Sequence, residues 1–95
     1  MTPINHTQDN RKGDMAEFYA VTWLWDNGYE VFKNCGCTGP VDLIATKDGE
    51  TTLIDVKTKS GRSGRTRSDE QVELNVKLLN YNPITRKLNF VNHKK

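Results

Sequence analysis

Apolar and polar positions change period along this chain, and the changes divide it into elements. Ala16, Tyr19, Ala20, Trp23 and Leu24 fall at i, i+3, i+4, i+7 and i+8, one stripe of an amphipathic helix. Asn27-Gly28 supplies its stop, with glycine suited to a left-handed cap. Residues 1–10 carry no apolar period and read as a flexible arm, so the helix is expected from Arg11. Residues 29–33 alternate and are rich in β formers, a first strand. Residues 34–39, with two glycines, turn into Pro40, whose fixed φ suits a strand start. Two apolar runs, 41–45 and 53–56, flank Asp48-Gly49, the strongest short-range signal for a two-residue hairpin. Ser68 stands at an N-cap position before Asp69 and Glu70, so a short helix is expected to reach Leu74. Residues 76–81 and 87–91 give two more strands around Asn82-Pro83. The sum is an α/β chain: a long first helix, three mostly antiparallel strands, a short second helix, then two strands completing a mixed five-stranded sheet.

The hairpin fixes a register. With Asp48 and Gly49 as its loop, Lys47 faces Glu50, Thr46 faces Thr51, Leu43 faces Ile54, and Asp42 faces Asp55. Opposed residues hold their Cβ atoms roughly 5 Å apart on one face of the sheet. Lys57 shares the face of Asp55, because side chains alternate with period two. Ile44 and Leu53 lie on that face as well, while Leu43, Ala45, Ile54 and Val56 lie on the other. Both faces are therefore apolar, and the hairpin reads as central and covered on both sides. Two carboxylates held this close destabilise the pair unless they take up a proton or a cation. Hard carboxylate oxygens suit Mg²⁺, with Mn²⁺ as a substitute. A salt-bridged triad of Asp42, Lys57 and Asp55 that neutralises itself fits the same spacing.

Composition narrows the picture. The chain has 95 residues, room for a single domain spanning residues 1–95 with a modest core, so dimerisation is a natural source of further stability. No apolar run approaches the ~20 residues of a membrane span, and the first residues lack the apolar segment of a secretory signal, which leads us to expect a cytoplasmic protein without membrane contact. The net charge of +2 does not by itself suggest nucleic acid, but its distribution does. Lys57, Lys59, Arg62, Arg65 and Arg67 follow one another with no intervening acid, in a stretch with two glycines and no large apolar residue. Such a loop is commonly a solvated surface. Leaving the sheet beside the carboxylates, it is also what a phosphodiester backbone needs. Cys35 and Cys37, separated by one glycine, read as reduced thiols without a metal or redox role.

The motifs resemble a known family. Gly13-Asp14-Met15-Ala16-Glu17 on the first helix, Gly39-Pro40-Val41-Asp42-Leu43 and Ile54-Asp55-Val56-Lys57-Thr58 in the hairpin, and a glutamine ahead of the late strands resemble the PD-(D/E)XK nuclease superfamily. Within it, the chain is similar to small endonucleases of the Holliday-junction-resolvase kind, over residues 13–91. Val41 separates Pro40 from Asp42 where the superfamily's name implies adjacency, and Asp55 stands where many resolvases carry Glu. The resemblance implies a restriction-endonuclease-like core and a Mg²⁺-dependent endodeoxyribonuclease acting on branched or duplex DNA. It implies Asp42, Asp55 and the Val56 carbonyl as metal ligands, with Glu17 directly or through water. Lys57 would orient or deprotonate the attacking water, and Gln71 would bond a metal-bound water or a phosphate oxygen. Lys59, Arg62, Arg65 and Arg67 would follow the DNA, and the products would be a 5′-phosphate and a 3′-hydroxyl. Read without the resemblance, Asp14 and Glu17 fit a capping box, and Gln71 fits an exposed helix glutamine.

Other activities fit the same parts. A nicking or repair nuclease acting on duplex or flap DNA would use the same residues. A non-catalytic DNA-binding module on this fold, or a partner-binding protein with salt-bridged carboxylates, needs no metal. Phe18, Val21 and Trp25 lie off the main helical stripe and point to a homodimer.

Overall fold

The first helix, α1, spans Asn5–Asp26 and ends where the sequence places its stop. The Gly28 N–H bonds the Trp25 carbonyl and the Tyr29 N–H bonds the Leu24 carbonyl, with Gly28 at φ +90°, the Schellman arrangement that only a left-handed residue closes easily. Its start lies upstream of the expectation. Residues 5–10 are helical, not a flexible arm, because each residue added to a formed helix gains a backbone hydrogen bond even beyond the apolar stripe. Asp14 and Glu17 consequently sit inside the helix, and the capping-box alternative does not apply. The computed structural model describes residues 5–36, 39–58 and 67–91, with the backbone alone for residues 5–10 and 12.

The strands are β1 (Glu30–Lys33), β2 (Leu43–Lys47), β3 (Glu50–Thr58), β4 (Lys77–Tyr81) and β5 (Leu88–Phe90), with helix α2 (Asp69–Glu73) between β3 and β4. They form one sheet in the order β1-β2-β3-β4-β5. Pairing is antiparallel except between β3 and β4, which run parallel. The central turn is as expected: Asp48 and Gly49 both take positive φ, 54° and 82°, and Lys47 pairs with Glu50. Positive φ at both loop residues gives the hairpin the twist its strands require. Lys47 then bonds the Asn27 carbonyl at 2.7 Å, placing a cation at the negative end of α1 and fastening the hairpin to it.

Helix α1 covers one face of the sheet. Ala20 and Leu24 pack on Leu43, Ala45, Ile54 and Leu79, all fully buried. Tyr19 stacks on Tyr81, and Trp23 meets Phe90, so the aromatics of the stripe extend this core over β4 and β5. Val21 also packs against the core, whereas Phe18 and Trp25 face solvent. The expectation of a hairpin covered on both faces holds only in part. On the second face Asp55, Leu78 and Asn80 are buried, yet Phe32, which pairs with Ile44, is exposed. A five-residue α2 is too short to shield that whole surface.

Candidate active site

The site forms where β3 runs past the beginning of β2. The last ladder pair is Leu43 with Ile54, and the Asp42 N–H bonds the Ile54 carbonyl at 2.8 Å. Beyond it the Asp42 side chain takes over from the backbone: its Oδ2 accepts the Val56 N–H at 2.9 Å. In a strand the N–H and C=O of one residue point to the same edge. The Val56 carbonyl therefore opens on the same side as Asp42.

Asn34 fixes the approach of Asp42 from the neighbouring segment. Its N–H donates to the Asp42 carbonyl at 2.9 Å and its Nδ2 to the Val41 carbonyl at 2.8 Å. Gln71 does the same from the opposite side and is buried, not exposed. Its Nε2 donates both to Asp55 Oδ2 and to the Pro40 carbonyl, each at 2.9 Å. Its Oε1 accepts the Ser68 N–H, while Ser68 Oγ accepts the Gln71 N–H, a complete capping box. One glutamine thus closes the start of α2 and ties Asp55, and the backbone two residues ahead of Asp42, to it. The sequence carried that signal in Ser68-x-x-Gln71. The contribution of Asn34 had no comparable signature.

Lys57 lies beside Asp55 as the alternation requires, with Nζ 3.1 Å from Asp55 Oδ2. The electrostatics centre on Asp42. Burial foremost, then a hydrogen bond to Asp55 and repulsion from Asp55 and Glu17, push its carboxyl up from 3.8 to about 7, against the downward pull of the Val56 N–H. Two carboxylates that share a proton in this way have an unmet need for positive charge. A divalent ion in place of the proton meets that need, so the donor set of two carboxylates and one carbonyl fits Mg²⁺, which keeps several of its waters.

Glu17 is not in direct reach of that set. It forms an ion pair with Lys33 at 2.9 Å, and its charge acts on Asp42 from a distance. Among the described residues no group of three His, Cys, Asp or Glu side chains is close enough to hold one metal ion. Arg67 donates from Nη1 to the Val76 carbonyl at 3.0 Å, anchoring the return into β4. Lys59, Arg62 and Arg65 lie outside the described residues, as does Cys37, while Cys35 is exposed.

Comparison with known proteins bears on the family and the fold. A family model described as archaeal Holliday junction resolvase (Hjc) matches residues 8–91. A UPF0102 protein of Roseiflexus castenholzii is 37% identical over 54 residues, covering 55% of this chain and 44% of its own. The bacterial homing endonuclease I-Ssp6803I superposes with a TM-score of 0.63 at 22% identity, over 84% of this chain and 62% of that one. This chain thus spans less than two thirds of either relative's length. The structural likeness shows the fold, a restriction-endonuclease-like α/β core with a mixed five-stranded sheet and two helices.

Proposed function

The chain belongs to the archaeal Holliday junction resolvase family, and on that footing we propose that it is a metal-dependent DNA endonuclease selective for branched DNA. The observation that carries this reading is the pair of half-buried Asp42 and buried Asp55, with Asp42 raised to about 7 and Lys57 on the same strand face. Such a shift is expected where carboxylates are assembled to receive a cation or to move a proton.

The ligands would be Asp42, Asp55 and the Val56 carbonyl, with Glu17 acting through water. Bound Mg²⁺ supplies Lewis acidity at the phosphate and lowers the pKa of a coordinated water. The chain's residues do the rest. Asp42 would give up its proton to make room for the ion, and Gln71 holds Asp55 through the hydrogen bond to its Oδ2. Lys57 orients the attacking water and stabilises charge developing on the phosphate oxygens. Solvent takes the proton lost by the attacking water and returns one to the departing 3′ oxygen, leaving a 5′-phosphate and a 3′-hydroxyl. Lys59, Arg62 and Arg65, with the part of Arg67 not engaged by Val76, neutralise flanking phosphates.

A homodimer belongs to this reading, because paired incisions on opposing strands of a junction require two sites. Met15, Phe18 and Trp25 lie exposed on α1 and offer an apolar surface for a second copy. Within the described residues no helix is long and apolar enough to cross a membrane.

The test is a cleavage panel with Mg²⁺ over four-way junctions, flaps, linear duplex and single strands. Preferred incision of the junction supports the proposal. Equal cleavage of linear duplex would replace it with a less selective nuclease, and intact DNA throughout would remove it.

A further inference from the structure

Asn80 is the one described side chain whose buried polar atom goes unmet. It lies on β4, only 4% exposed, and its Oδ1 has no hydrogen-bond partner among the described residues. A buried acceptor without a donor lowers stability, and an apolar residue of similar shape in its place is neutral or stabilising. The fold alone therefore gives no reason for an asparagine here. Its neighbours supply one. Asn80 is in register with Lys57 across the parallel β3–β4 pair and shares its face, and it is in register with Asn89 on β5. The Asn89 amide is turned to the Phe90 carbonyl, at 3.4 Å. Lys57 is the donor left on that row, and its ammonium leans back onto Asp55 Oδ2, which also accepts from Gln71.

We propose that Asn80 is a positioning residue for Lys57: its unmet Oδ1 takes up the ammonium when a divalent ion occupies the carboxylate pair. This rests on the nuclease reading above. A cation shared by Asp42 and Asp55 repels the ammonium already bound to Asp55. An acceptor one strand away lets Lys57 move aside without leaving the sheet face. With one N–H on Asn80, the ammonium keeps donors for the phosphodiester. The unsatisfied oxygen is thus the acceptor toward which the ammonium moves.

Mn²⁺ binding, followed by thermal shift and by titration calorimetry, tests this apart from cleavage. Asn80→Leu removes the acceptor at similar size. It should raise the melting temperature of the metal-free protein, yet need roughly tenfold more Mn²⁺, the scale of a hydrogen bond to a charged group. Its junction cleavage should slow by a similar factor at fixed Mg²⁺. Asn80→Asp keeps an acceptor oxygen in either protonation state and should restore the Mn²⁺ requirement, and Asn89→Ala should leave it unchanged. In a Lys57→Ala background, Asn80→Leu should have no further effect on Mn²⁺ binding. If Asn80→Leu does not fold, Asn80→Ser, too short to reach Lys57, takes its place. An unchanged Mn²⁺ requirement in the variant overturns the assignment while leaving the nuclease reading intact. Loss of Mn²⁺ affinity that persists in the Lys57→Ala background also overturns it, since Asn80 would then act other than through Lys57. A wild type that binds Mn²⁺ but cuts no DNA removes the nuclease reading, and the binding comparison alone then decides Asn80. A wild type that binds no Mn²⁺ removes both.

Discussion

Asp42 carries the strongest electrostatic signal among the described residues, and it makes a prediction about pH. Its folded value of about 7 stands above the ordinary 3.8, so the unfolded chain releases this proton first as pH rises. Between roughly pH 4 and 7 the folded state holds a proton the unfolded state lacks, and stability falls as pH increases. Above that window the contribution is level. Thermal melts without metal should therefore show a declining midpoint across this range, and Mn²⁺ at pH 8 should raise it by binding the folded state. A flat profile with no response to Mn²⁺ would show that the pair is closed by Lys57 instead. The convergence of Asp42, Asp55 and Lys57 was legible from period two and a single Asp-Gly turn. Which proton or cation they hold was not, because it depends on burial, and burial is set by elements far away in sequence. The same limit hid the burial of Gln71, which the family resemblance alone marked as a site residue. As a residue on a short polar helix it reads as exposed, and only the packing of α2 against Pro40 and Asp55 turns it inward.

At the level of elements, the strongest local signals gave the most accurate boundaries. Asn27-Gly28 and Asp48-Gly49 each demand a positive φ that few residues adopt freely, and both turns fall where expected. The start of α1 was missed because the residues before Arg11 bring no apolar stripe, and period was the only signal available there. The mixed sheet was legible, but its edge was not: Phe32 sits on an open face that the apolar count suggested would be covered. The length of α1 has a consequence for Gly13, which lies within it with nothing inside 4 Å of where a Cβ would stand. Gly13→Ala should stabilise the protein by roughly 0.5–1 kcal/mol, the gain from restricting the unfolded backbone within a helix. Urea unfolding measures this directly. Destabilisation by the substitution would contradict a helix running unbroken through that position.

On the scale of the whole molecule, two surfaces invite a partner. The basic residues after Lys57 follow the end of β3 in sequence, whereas Phe18 and Trp25, more than 60% exposed, lie on α1. If the basic stretch follows DNA, Arg62→Ala combined with Arg65→Ala should flatten the salt dependence of DNA affinity by about two units of slope, near 0.9 for each lost phosphate contact. An unchanged slope would place the DNA elsewhere. If the apolar surface seats a second copy, sedimentation at micromolar concentration should give twice the 10.8 kDa of one chain, and Trp25→Glu should return it to that mass. A wild type already at 10.8 kDa would favour single-strand nicking over paired incision. The central claim, that Asp42, Asp55 and Lys57 form a metal-loaded hydrolytic site, is tested most directly by single-turnover cleavage of a labelled four-way junction. Wild type and Asp55→Asn are compared with Mg²⁺ and with a chelator. The account predicts incision by the wild type that requires Mg²⁺, and none by an Asp55→Asn protein that remains folded. Cleavage that survives either the substitution or the chelator would contradict it.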